Sequence, residues 1–454
     1  MRVGQVLEVA FGDVLATGQG VGRALGMALF AWGPLPGERA RVRVELVKAN
    51  YAVGEVVEYL ERSPERVEPF CGVFGRCGGC QVQHLAYDAQ LRWKRSIVEN
   101  ALRRIGRIPD ARVLSTIGMS EPRAYRNKMA LVTETTPEGT AFGFYAARSH
   151  AIVPIERCPI VRPELDALIG ALWAAGREAP TKAAFEGAQH LVARVGTATG
   201  ESVVAVSTVN PSAGLNETGA ALLERLPGAI GIGNSFDPAS ANAVMGRRQK
   251  SVAGETQTEE RIDDVQFRVS TASFFQVNSA MVGQIFAYLR PVLRRGMRVV
   301  DLYCGAGTFS LFFAREGARV LGIEENPAAV REAQANAVRN GSAAEVAFLT
   351  GRVERVLGAG HGAAFLKHAD VVFLDPPRKG SDEATLGAVA AAGTPHVWYL
   401  SCNPATLARD LAFLLTVGYR LGSVQPFDMF PQTGHVESLA VLTAPRVPAL
   451  DWGV

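Results

Sequence analysis

Val299-Val300-Asp301-Leu302-Tyr303-Cys304-Gly305-Ala306-Gly307-Thr308 decides the fold of this chain. Arg298 to Tyr303 reads as a strand, Cys304 to Thr308 as a glycine turn, and Phe309 to Glu316 as the start of a helix. Ala318 to Ile323 makes the next strand, and Glu324 stands at its end. Glycines at Gly305 and Gly307 let the backbone approach a ligand closely, and an acid ~20 residues on can accept hydrogen bonds from ribose hydroxyls. Strand, turn, helix, strand and acid together predict a nucleoside site in a doubly wound α/β sheet. The third glycine of a dinucleotide fingerprint is missing, which favours S-adenosylmethionine over NAD.

Two further strands point their ends at the same edge. Val371 to Pro377 reads as a buried strand finishing in Asp375-Pro376-Pro377. Val397 to Leu400 is an apolar strand running into Ser401-Cys402-Asn403-Pro404-Ala405-Thr406. Ligands of such sheets bind outside the carboxyl ends of the strands, so Cys402 emerges where the cofactor turn lies. A buried cysteine is usually only a small hydrophobe. One at this edge is a candidate nucleophile, provided the site removes its proton. Downstream, Gly434-His435-Val436-Glu437-Ser438 leads into the apolar run Leu439 to Leu442. If that last strand runs antiparallel, its start shares the edge with the ends of the parallel strands. Glu437 then faces Cys402 as a candidate general base, with His435 as the rival.

Bulk properties set limits. The 454 residues carry 47 Lys and Arg against 44 Asp and Glu, a net charge of +3, and are 48% hydrophobic. That balance announces no nucleic-acid partner by itself, although Arg39, Arg41, Arg43 and Lys48 cluster early in the chain and Arg123, Arg126 and Lys128 later. Each cluster can equally be a solvated face. There is no apolar run long enough to span a membrane and no signal-peptide core, so a cytoplasmic protein is expected. Six cysteines in so long a chain are not a disulfide framework.

The N-terminal part is organised differently. Residues 1–62 read as a small all-β unit of the oligonucleotide-binding barrel kind, with β-rich runs at Ala40 to Val47 and Val53 to Leu60. Ser63-Pro64 reads as a linker. Residues 63–260 form a central α/β domain, beginning with an amphipathic helix over Tyr87 to Ile105 whose apolar face is Val98, Ala101, Leu102 and Ile105. Residues 261–454 form the doubly wound domain. Cys71, Cys77 and Cys80 lie close together and Cys158 follows far off. Four thiolates suit zinc or a [4Fe–4S] cluster, and spacing leaves both open. Cys304 reads as packing.

Nearly end to end, the chain resembles the RNA uracil-5 methyltransferases that carry an N-terminal TRAM domain and an iron–sulfur cluster. The likeness rests on Ser273-Phe274-Phe275-Gln276-Val277-Asn278, Asp301-Leu302-Tyr303-Cys304-Gly305, Asp375-Pro376-Pro377-Arg378, the Cys402 run, and Met429-Phe430-Pro431 through Glu437. The resemblance implies a Rossmann-like methyltransferase domain that methylates carbon 5 of uridine, with Cys402 as nucleophile and Glu437 as base. It implies that Gln276, Tyr303, Gly305, Glu324 and Asp375 hold S-adenosylmethionine and that Phe274 lies near the flipped base. It also implies that Cys71, Cys77, Cys80 and Cys158 hold a [4Fe–4S] cluster. In the resembled family the tRNA-specific members lack both cluster and TRAM domain, so the expected partner is ribosomal RNA of the 23S kind, bound by a monomer.

The chemistry asks for these residues. Carbon 5 of uracil is a poor nucleophile until a thiolate adds at carbon 6, and a base must later remove the carbon 5 proton. The uracil must first leave its stack, and an aromatic side chain can hold it there. Other readings are a tRNA uridine-5 methyltransferase and a non-catalytic RNA-binding iron–sulfur protein, which the Cys402 and Glu437 pair argues against. A cytosine-5 methyltransferase carries a different cysteine motif. A base-nitrogen methyltransferase would carry an aromatic where Arg378 stands and would need no nucleophile. Radical methyl chemistry needs a cysteine spacing that this chain lacks.

Overall fold

The computed structural model describes residues 1–240, 243–358, 360–450 and 452. At the N-terminus five strands close into a barrel: β1 Val6–Val14, β2 Gln19–Ala24, β3 Met27–Trp32, β4 Arg39–Val47 and β5 Tyr51–Glu61, in the order β1-β2-β3-β5-β4. Pairing of β1 with β4 completes the closure, so the unit has no free edge. Alternation sets the faces. Ala40, Val42 and Val44 point inward, while Arg39, Arg41 and Arg43 point to solvent.

Those arginines are not a bare basic stripe. Arg39 pairs with Glu61 (2.6 Å), Arg41 with Glu58 (2.8 Å) and Arg43 with Glu55 (3.0 Å), all on the neighbouring β5. Nor is Ser63 a slack linker. Its amide donates to the buried Glu38 carboxylate (3.1 Å), which also holds Arg66.

A second sheet follows, from β6 Lys128–Thr136, β7 Gly139–Tyr145, β8 Ile152–Pro154, β9 Ala188–Val195, β10 Ser202–Thr208, β11 Ala229–Phe236 and β12 Arg248–Gly254, in the order β12-β11-β10-β9-β6-β7-β8. Helices Pro163–Ala175 and Ala213–Arg225 contribute Leu165, Leu168, Leu172, Leu215 and Leu222 to its core. A hairpin of β13 Gln257–Ile262 and β14 Val265–Ser270 leads into the C-terminal domain.

That domain is a seven-stranded sheet: β15 Arg298–Leu302, β16 Arg319–Glu324, β17 Val346–Thr350, β18 Val371–Leu374, β19 His396–Ser401, β20 Arg420–Phe427 and β21 Glu437–Thr443. The order is β17-β16-β15-β18-β19-β21-β20. β15 to β19 are parallel, and β21 enters antiparallel beside β19. The strands read as unbroken apolar runs because both faces are covered. Val299, Phe373, Trp398 and Leu400 belong to the core on one face; Val300, Val372, Leu374 and Tyr399 belong to the other.

Helix α1, Tyr87–Arg104, joins the barrel to the C-terminal domain. Val98 and Leu102 bury themselves in the core of the C-terminal domain, while Ala89 and Trp93 pack with Val14 and Leu35 of the barrel. Ile105, expected on the apolar face, caps the helix and is 51% exposed. The buried stripe runs instead through Gln90 and Lys94, polar residues that apolar periodicity cannot report. Lys94 is fully buried against an equally buried Asp428, and it also donates to the Phe430 carbonyl (2.9 Å). Among the described residues no helix is long and apolar enough to cross a membrane.

Candidate active site

The site forms where the parallel strands end and β21 begins. Ser401 pairs with Ser438 across β19 and β21, so one further step in register sets Cys402 opposite Glu437. Asn403 follows Cys402 and caps the helix Pro404–Thr416 with its side chain. The same amide donates to the Arg378 carbonyl (2.9 Å), which Thr406 also holds (3.2 Å). The thiol loop and the Asp375-Pro376-Pro377-Arg378 loop are thereby tied together.

Electrostatics at this edge is dominated by desolvation. Glu437 is only 2% exposed, and its Oε1 has no hydrogen-bond partner. Burial, with Asp375 beside it, pushes its carboxyl well above the usual carboxylate range, and Arg378 opposes this. Burial also raises Asp375, against a hydrogen bond from Gln276 Nε2 (3.4 Å). The Cys402 thiol is pushed up to about 11 by burial first, then by Glu437 and Asp375; Arg378 pulls it back. Cys402, Glu437 and Asp375 therefore perturb one another's titration beside the Arg378 charge, a pattern that marks functional sites.

His435 is held differently. Arg378 donates to its ring (2.9 Å to Nδ1), and desolvation with the Arg378 charge pushes it down to about 4. At neutral pH it is an uncharged acceptor for Arg378 and a weak base.

Beside this group lies a cavity lined by Phe274, Gln276, Asp301, Tyr303, Gly305, Thr308 and Asp375. Four of the five residues expected to hold the cofactor meet there. The fifth, Glu324, sits behind the turn, where its carboxylate accepts from Gly305 N (3.1 Å) and Asn326 N (2.8 Å). Tyr303 adopts φ 66°, strained for a side chain of its size; its amide bonds Ile323 O (2.9 Å) and its hydroxyl lies 3.0 Å from Ser381 Oγ. Phe274 stands at the cavity mouth, 72% exposed.

Several residues enter the site that sequence reading gave no role. Asp301 is buried, pushed up to about 8 by desolvation, with Ser310 on one oxygen (2.5 Å) and no partner on the other. The loop carrying Phe274 and Gln276 is held from the central sheet. Lys128 Nζ donates to Thr271 O (2.7 Å), Asn127 Nδ2 to Gln276 O (3.2 Å), and the fully buried Arg194 to Ser273 O (3.3 Å) and Phe275 O (3.4 Å). A lysine or arginine on a strand gives no hint of this, because its partners lie more than a hundred residues away or across a domain junction.

The remaining cysteines form a second locus. Cys71, Cys77, Cys80 and Cys158 line one cavity of about 240 Å³, walled by Phe74, Met129, Phe144 and Ile155. Burial raises Cys80 to about 12 and Cys158 to about 11, and the neighbouring thiols add to both. Among the described residues no three Cys, His, Asp or Glu side chains converge closely enough to grip a single metal ion. The four thiols surround a space rather than a point. Cys304 is buried in the core, as packing requires.

Comparison with known proteins adds to this geometry. The tRNA (uracil-5-)-methyltransferase family model matches residues 245–444, and the TRAM domain model matches residues 1–57. An uncharacterised RNA methyltransferase of Halalkalibacterium halodurans is 41% identical, covering 96% of this chain and 96% of that protein. Another, of Thermosynechococcus vestitus, is 38% identical over 97% of this chain and 98% of its own length. Among solved structures, the Pyrococcus abyssi tRNA (uracil-54, C5)-methyltransferase in complex with S-adenosyl-L-homocysteine superposes with a TM-score of 0.72 at 25% identity, covering 96% of this chain and all of that one.

Proposed function

The chain belongs to the family of S-adenosylmethionine-dependent RNA uracil-5 methyltransferases, and on that premise we propose that it methylates carbon 5 of uridine in ribosomal RNA through a covalent Cys402 adduct. The observation that carries this reading is the β19–β21 register, which sets a buried, unpartnered Glu437 carboxyl opposite the thiol. When bound, S-adenosylmethionine supplies an electrophilic methyl group. Cys402 adds as thiolate to carbon 6 of the flipped uracil, so that carbon 5 becomes nucleophilic and takes the methyl group. Glu437 then accepts the carbon 5 proton, and Cys402 leaves with its electron pair. Arg378 favours the thiolate, since its charge opposes the raised thiol pKa. Phe274 stacks on the extruded base from the cavity mouth.

For the second locus, Cys71, Cys77, Cys80 and Cys158 would hold a [4Fe–4S] cluster. Thiols spread around an apolar cavity favour a multi-atom cluster over a lone zinc ion. Such a group would supply structure to the central domain, since metal binding couples to folding.

The target has a second reading, transfer RNA, favoured by the full-length likeness to the Pyrococcus abyssi enzyme. That likeness spans the barrel, so the barrel alone gives no reason to prefer ribosomal RNA, and the ribosomal reading rests on the four cysteines. The test is methyl transfer from labelled S-adenosylmethionine to RNA by the wild type and by Cys402→Ala, which should bind cofactor yet transfer nothing. Mapping of 5-methyluridine in both RNA classes from a deletion strain decides the target. Loss confined to transfer RNA would overturn the ribosomal reading.

A further inference from the structure

The segment that carries the base is gripped by the N-terminal barrel. Gly434 lies three residues before Glu437, and a Cβ at that position would sit 1.8 Å from the Ala16 carbonyl oxygen and 2.6 Å from the Ala16 carbonyl carbon. Both are backbone atoms that cannot swing away. Ala16 belongs to the turn between β1 and β2, closed by Leu15 N to Gln19 O and Gly18 N to Leu15 O (2.8 Å each). The Trp93 indole of α1 donates to Val14 O (2.8 Å) and fixes that turn to the helix.

On its other side the segment is held in a strained shape. Gln432 adopts φ 71°, a region that side chains larger than glycine rarely occupy. Its carbonyl accepts from Gln81 N (3.0 Å) and Val82 N (3.1 Å). Its amide donates to Gln90 Oε1 (3.1 Å), and the two glutamine side chains bond each other (2.9 Å). Strain of this kind persists only where the surroundings over-determine it, and it clusters at functional sites.

We propose that the β1–β2 turn of the barrel is a positioning element for Glu437, so that the barrel contributes to turnover and not only to RNA affinity. This rests on the reading of Glu437 as the base. The acidic partners of Arg39, Arg41 and Arg43 fit a barrel whose task includes more than phosphate binding.

The test is Gly434→Ala in the full-length chain. A misplacement of about 1 Å costs on the order of 100-fold, so kcat should fall about 10- to 100-fold. KM for RNA and the affinity for S-adenosylmethionine should stay within about twofold of the wild type, by comparison with that same scale. A methylated RNA–protein adduct should accumulate, because elimination is the step that needs the base. If this variant fails to fold, Trp93→Phe decides. It keeps an aromatic ring but removes the indole N–H bond to Val14 O, and should lower kcat with KM for RNA unchanged. Glu437→Gln run in parallel separates the two claims: if it traps no adduct, the base reading fails. If it does trap the adduct while the folded variant keeps wild-type kcat, or loses only RNA affinity, the positioning role is overturned.

Discussion

Replacing Glu437 by glutamine should convert the enzyme into one that traps its own substrate. The amide fills the same volume, so the packing at the start of β21 survives. Loss of a general base costs about 10²–10⁴ in rate, or roughly 3–5.5 kcal/mol at about 1.36 kcal/mol per decade. That cost falls on elimination alone. The steps before it should not slow, because Glu437 is one of the groups that hold the Cys402 thiol up near 11. Removing its charge lowers the thiol pKa and raises the thiolate fraction. Two assays follow. Incubation with RNA and S-adenosylmethionine should yield a denaturant-resistant band whose mass includes the added methyl group. Alkylation of Cys402 in the free enzyme, followed against pH, should shift to lower pH than in the wild type. Stability should change with a defined sign. A carboxyl whose folded pKa is raised contributes stability fully present below its unfolded value, which is lost as pH rises through the folded value. Glutamine escapes that loss, so the variant should gain on the wild type in thermal melts as pH rises. Normal turnover, an adduct without the methyl group, or alkylation shifted to higher pH would each refute the reasoning.

Arg378→Met removes a charge that lowers the Cys402 pKa, so the acid limb of kcat/KM against pH should move upward; a downward shift counts against Arg378 as the thiolate's support. Lys94→Met leaves Asp428 buried without its cation and should cost about 3–5 kcal/mol in urea unfolding, whereas Lys94→Met combined with Asp428→Leu should recover most of it. A double variant as weak as the single one would mean that the ion pair is not what Lys94 supplies. Anaerobic purification should yield iron and acid-labile sulfide in equal amounts, lost together in Cys158→Ser; stoichiometric zinc instead would reject the cluster.

What the sequence disclosed was what is local or periodic. Val371 to Leu374 and His396 to Ser401 are short, largely apolar and buried, and each is punctuated by the residues that leave the sheet, so the edge at which they end was legible. The antiparallel entry of the last strand was enough to bring Glu437 to Cys402. The rest depends on pairs that are distant along the chain. Lys94 looks like one more solvated helix lysine until Asp428 arrives. Arg39, Arg41 and Arg43 look like a basic patch until β5 supplies three glutamates. Arg194 and Lys128 reveal nothing of the loop they hold, because backbone carbonyls leave no mark on a sequence.

The bond between Lys94 and Asp428 spans 334 residues, and that between Gln90 and Gln432 spans 342. At about 5–20 residues per second of synthesis, α1 waits roughly 20–70 s for its partners to be made. The strand delivering the nucleophile is translated before the segment delivering the base. A nascent chain, or one cut short by a premature stop near residue 425, therefore exposes a thiol with no acid opposite it and a lysine with no anion to bury against. Such a product can neither complete the reaction nor close its core.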